Sequence, residues 1–198
     1  MTDDLFDKNV KGILDLTSDI LNKFSDVSLP VKICSNHFHR NILRMVGTQN
    51  PKHTDSGFGL VNVQCEMDDP NQNIWEAFII NKNEDGSFSI ESVAFPKTYL
   101  RMDPKVPGPI KGSFGKVNCQ ADISLYEKFT FNRVGEGPVG ELFSIESVAF
   151  PGNYLMLSGD VNPRMLGSGF GAVGCQSYVS DWEIFYFKPF DFCLPGMN

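Results

Sequence analysis

Nine residues occur twice in this chain, letter for letter: Phe88-Ser-Ile-Glu-Ser-Val-Ala-Phe-Pro96 and Phe143-Ser-Ile-Glu-Ser-Val-Ala-Phe-Pro151, 55 residues apart. An internal repeat of this length limits the architecture more than any local propensity does. The identity extends into a longer unit. Tyr99-Leu100 and Tyr154-Leu155 follow the nonapeptides, then Gly112-Ser-Phe-Gly115 and Ser168-Gly-Phe-Gly171, then Val117-Asn-Cys-Gln120 and Val173-Gly-Cys-Gln176. Each unit closes on an aromatic-Glu-x-Phe element, Tyr126-Glu-Lys-Phe129 and Trp182-Glu-Ile-Phe185.

A worn third copy comes first. Phe38, Ile42-Leu-Arg-Met45, Ser56-Gly-Phe-Gly59, Val61-Asn-Val-Gln64 and Trp75-Glu-Ala-Phe78 keep the same order, and Phe58, Phe114 and Phe170 stand 56 residues apart. The units therefore span 30–86, 87–141 and 142–190, with a tail at 191–198 and a distinct segment at 1–29. Within a unit, Phe88 and Ile90 alternate with Ser89 and Glu91, the period-2 pattern of a half-buried strand. Tyr99 to Met102, Lys116 to Gln120 and Lys128 to Asn132 supply three further short strands, and Asp85-Gly86 and Gly135 to Gly140 carry turn chemistry. Four strands in each of three units predict an all-β chain of twelve strands, a β-trefoil whose units close one barrel that none could form alone.

Residues 3–24 follow a different period. Phe6, Val10, Ile13, Leu14, Leu21 and Phe24 fall on one helical stripe, with Asp3, Asp7, Lys11, Asp15 and Asp19 around it. An N-terminal amphipathic α-helix is expected there, packed on the barrel. Homodimerisation or docking to a partner is the other role open to it.

The net charge of −7 and pI near 4.9 argue against nucleic acid as a partner, because phosphate binding needs a basic surface. No apolar run is long enough for membrane insertion. The five cysteines are an odd number, no glycosylation sequon occurs, and Met1-Thr-Asp-Asp-Leu5 lacks the positive start of a signal peptide. The expectation is a cytoplasmic protein with reduced, structural cysteines.

Chemistry-bearing constellations are thin. His37 and His39 would share a strand face, a metal-capable spacing, but histidines in this pattern are more often surface or turn residues, and no metal is assigned. Glu76, Glu127 and Glu183 recur by symmetry and would lie far apart, the wrong layout for a paired acid and base. Each is expected to accept backbone hydrogen bonds where its closing strand begins. The reading is non-enzymatic, with no catalytic residue and no cofactor. What varies between units is the loop before each Ser/Gly-Phe-Gly, and binding residues concentrate on such loops. Candidate ligand contacts are His53, Asp103, Lys105, Asp160, Asn162 and Arg164.

The run Phe143 to Leu155 resembles a repeat of the arabinofuranosidase-B-type carbohydrate-binding β-trefoils, with Met45, Met102 and Leu157 where that family carries a histidine. The closing pattern, Val117-Asn-Cys-Gln120 through Tyr126-Glu-Lys-Phe129, looks more like the units of fascin-type trefoils. The first resemblance implies a lectin-like module that binds a glycan through its three variable loops, with avidity from valency. The second implies a protein ligand, as a cytoskeletal, actin-binding module. A cytokine-like ligand is a further alternative.

Overall fold

The computed structural model describes residues 29–66, 74–109, 115–138, 140–164 and 166–190. The helix expected over residues 3–24 and the tail 191–198 lie outside them. The described residues form twelve strands and no α-helix: β1 Val31–Ser35, β2 Asn41–Val46, β3 Leu60–Cys65, β4 Phe78–Lys82, β5 Phe88–Ser92, β6 Tyr99–Asp103, β7 Gly115–Gln120, β8 Phe129–Gly137, β9 Gly140–Ser147, β10 Tyr154–Ser158, β11 Ala172–Gln176 and β12 Phe185–Pro189. Short 3-10 turns at Ile74–Glu76, Leu125–Glu127 and Asp181–Glu183 precede β4, β8 and β12.

Six strands close a barrel, all antiparallel: β1 pairs β4, β4 pairs β5, β5 pairs β8, β8 pairs β9, β9 pairs β12, and β12 returns to β1. Closure leaves the barrel no free edge. The hairpins β2–β3, β6–β7 and β10–β11 cap one end. They lean on one another through β7–β11 pairing and through bridges from Phe58 to Cys119 and from Phe170 to Val63. This is the β-trefoil.

The three-fold repeat recurs in the core as triads of buried side chains. Ile33, Ile90 and Ile145 form one, Phe78, Phe129 and Phe185 another, and Leu43, Leu100 and Leu155 a third, all fully buried. Val63, Cys119 and Cys175 form a fourth, so the first unit's equivalent of the two core cysteines is Val63, with Cys65 two residues further along β3. Burial in apolar surroundings pushes the Cys119 and Cys175 thiols up to about 12. Cys34, Cys65, Cys119 and Cys175 are unpaired.

Candidate functional site

The duplicated nonapeptide is spent on building a turn. Phe88 and Ile90 enter the core, and the Ser92 hydroxyl accepts the Phe95 amide at 3.3 Å. Glu91 accepts the Lys97 amide at 2.8 Å with one oxygen and the Asn81 side-chain amide at 3.0 Å with the other. Glu146 repeats this with the Gly152 amide and Asn132. Lys97 and Gly152 hold the same left-handed turn position, at φ 61° and 79°, so the glutamate fixes a conformation that glycine adopts freely and lysine only at a steric cost. The first copy has Cys34 in place of that glutamate, and the turn follows at Arg40, φ 61°.

These turns bring one unit against the next. Trp75 packs on Phe95 with ring centroids 5.8 Å apart, Tyr126 on Phe150 at 5.0 Å, and Trp182 on Phe38 at 5.5 Å. At every junction the aromatic residue ending one unit meets the phenylalanine of the following unit's first turn, and the third unit meets the first. Trp75, Tyr126 and Trp182 all remain half-buried. Each pair contributes about 0.5–1.5 kcal/mol beyond its burial.

The variable loops start beside these pairs and end clamped on a neighbouring hairpin. Gln64 donates to Leu166 O at 2.6 Å and accepts the Leu166 amide, and Asn62 donates to Ser168 O at 2.9 Å. Gln120 holds Thr54 by the same two-way bond, and Asn118 holds Ser56 O at 2.8 Å. Arg44 lies fully buried between its own Glu76, with Nε to Oε1 3.4 Å, and the Ser168 and Gly167 carbonyls; its guanidinium sits 4.5 Å over Trp75. Arg101 does the same with Glu127, Asp55 O and Tyr126. In the third unit the equivalent positions are Met156 and Gly174, and Gln176 turns inward to donate to Glu183. Glu127 and Glu183 each accept the amide and hydroxyl of a serine three residues before them, Ser124 and Ser180, which starts the closing turn.

Against this frame the six loop residues fall at separate places. Asp103 is buried at the end of β6, accepts from Arg101 at 2.9 Å and caps the Lys105 amide. Lys105 Nζ lies 5.1 Å over the Phe150 ring at the junction of units two and three. His53, 54 % exposed, has Nδ1 3.3 Å from Asp122 Oδ2. Asp160 is held through its backbone by both ends of the Asn41 side chain, at 3.0 and 2.8 Å, and one of its carboxylate oxygens accepts the Asn162 amide. Asn162 and Arg164 are exposed on the same loop. The preceding residue, Gly159, is so close to Phe38 that an added Cβ would come within 3.2 Å of the Phe38 Cβ. Asp160 is thus brought to the junction of Trp182 and Phe38.

Two residues at that junction were not singled out for binding from the sequence. His37 lies in the turn after β1 rather than on a strand face with His39, because β1 ends at Ser35. Its ring meets Phe38 edge-on at 4.7 Å, and its Nδ1 is 3.6 Å from Asp181 Oδ2. Among the described residues no group of three His, Cys, Asp or Glu side chains is arranged to hold a metal.

No protein-family model and no curated protein matches this chain. Solved structures do. A designed three-fold symmetric protein, ThreeFoil, aligns with TM-score 0.57 and 11 % identity over 80 % of this chain and 96 % of that one. A Polyporus squamosus lectin, solved bound to a human-type influenza-binding epitope, aligns with TM-score 0.53 and 12 % identity over 82 % of this chain and 50 % of the lectin. A mosquitocidal holotoxin aligns with TM-score 0.59 and 9 % identity; the chain spans only 18 % of its length. At such identities the likeness is one of fold. The chain is a β-trefoil, and its ligand has to be argued from its own surface.

Proposed function

We propose that this chain is a non-enzymatic, lectin-like module that binds glycans at its unit junctions. The observation that carries the reading is the set of three half-buried aromatic residues, Trp75, Tyr126 and Trp182, each beside the start of a variable loop and backed by a phenylalanine. A saccharide ring presents an apolar C–H face and a rim of hydroxyls, and an aromatic plane with polar neighbours on a rigid frame suits both. Backbone docking of the loops supplies the rigidity, which lowers the ordering cost of binding. Glu127 and Glu183 hold the serines that start their closing turns and Glu76 faces the buried Arg44, scaffold roles that support the non-enzymatic part. Four unpaired, buried cysteines support a reducing, cytoplasmic location.

A glycan array followed by saccharide titrations, read by tryptophan emission, tests the reading. Saturable binding of at least one saccharide is expected, and silence across the array overturns it. A protein ligand has one observation in its favour, the exposed apolar Ile123 and Leu125 beside the second closing turn. Co-sedimentation with actin filaments tests its cytoskeletal form.

A further inference from the structure

We infer that the glycan seat is the junction where the third unit closes on the first, that it takes a neutral, hydroxyl-rich saccharide ring, and that the other two junctions are idle. The inference rests on the glycan-binding reading and names its site. The three junctions share an aromatic pair but differ at the two positions flanking it. The residue opening the closing turn is Ile74, Leu125 or Asp181, and the residue before the phenylalanine is Ala94, Ala149 or His37. Ile74 and Leu125 are 41 % and 59 % exposed and offer a sugar hydroxyl nothing. Asp181 and His37, with side chains 77 % and 40 % exposed, lie 3.6 Å apart at the Trp182–Phe38 pair.

A carboxylate accepts two adjacent hydroxyls, and an imidazole nitrogen donates or accepts according to its tautomer. Asp160, whose backbone is held by Asn41, starts the third variable loop beside the same junction and adds negative charge to it. Among the described residues, this junction is the one that sets a carboxylate and an imidazole beside its aromatic pair. Its charge also sets the class of ligand. Asp181 and Asp160, on a chain of net charge −7, repel sialylated, uronic or sulfated sugars and leave uncharged rings as the fit.

The chain has only two tryptophans, and they sit at different junctions. W75F leaves Trp182 as the reporter, and W182F leaves Trp75. Galactose, mannose, N-acetylglucosamine, lactose and N-acetylneuraminic acid are titrated into both variants, with any array hit added. A neutral sugar is expected to shift emission in W75F and leave that of W182F unchanged, with no response to N-acetylneuraminic acid. D181N and H37A, each checked for an unchanged melting temperature, are expected to weaken that binding about tenfold. A response from Trp75, or full affinity in both D181N and H37A, overturns the site while leaving the glycan reading standing. Preference for the acidic sugar overturns the ligand class. No response from either tryptophan removes the site, and a silent glycan array beside it removes the proposed function as well.

Discussion

Met156 and Gly174 face each other across the third hairpin, where the first two set Arg44 against Asn62 and Arg101 against Asn118. The two losses belong together. In the other units the asparagine oxygen accepts from the arginine, at 3.2 Å in the first, and without the arginine it would be a buried acceptor short of a partner. The carboxylate behind them remains. Glu183 is fully buried and accepts from Ser180 and Gln176, but has no arginine beside it. Burial holds its carboxyl above the usual 4.5. The folded chain then keeps a proton there over a range of pH in which the unfolded chain has released it. The unfolded state binds fewer protons, so this group makes stability fall as pH rises above about 4.5. Removing the titration with E183Q should remove that slope. The melting temperature of E183Q minus that of the wild type is expected to grow between mildly acidic and neutral pH, and a constant difference would show that Glu183 does not titrate there.

At the scale of the element, the loops are held by glycines that admit no side chain. Gly169 has φ +72°, and a Cβ there would lie 2.6 Å from Asn62 Nδ2 and 2.8 Å from the Val63 carbonyl, the group that accepts the Phe170 amide. Gly86, in the β4–β5 turn, has φ +83° with nothing within 4 Å. Both alanine variants force a left-handed residue, but only one collides. G86A is expected to cost about 1 kcal/mol, and G169A roughly 2–4 kcal/mol because the third loop must leave its seat on β3. Urea unfolding of the two variants measures the difference. Glycine spacing, strand alternation and the aromatic-Glu closing motif were all legible in the sequence, since each is a local requirement repeated three times. The seat on which a loop lands was not. Asn62 receives Ser168 and Asn118 receives Ser56, pairings set by how the units wrap, which no spacing within a unit encodes. Asp103 was hidden for another reason: it varies between units and so reads as loop, yet it ends β6 on the same face as Arg101 two residues before it and is buried against that guanidinium.

For the molecule as a whole, the three-fold frame and the surface it carries obey different constraints. Barrel closure demands like side chains at like depths, so the isoleucine, phenylalanine and leucine triads agree. Nothing in the core limits positions 74, 125 and 181, or 94, 149 and 37, and there the third junction alone carries Asp181 and His37 in place of aliphatic residues. A repeat in the sequence therefore predicts three equal sites only if the repeated residues are the binding ones. Here they are occupied with turns, core and clamps, and the third junction is set apart by Asp181, just before the shared closing motif, and by His37, where the worn first copy departs from the nonapeptide. Trp182 and Phe38 meet only because β12 returns to β1, so the junction that carries His37 and Asp181 is made from the two ends of the repeat array. The avidity expected of three equal loops should then be missing. Calorimetric titration of a neutral saccharide that binds should give a stoichiometry of one per chain, and the monomer should fail to cross-link a multivalent glycan. A stoichiometry of three would return binding to the parts the units share, with Trp75, Tyr126 and Trp182 acting alike.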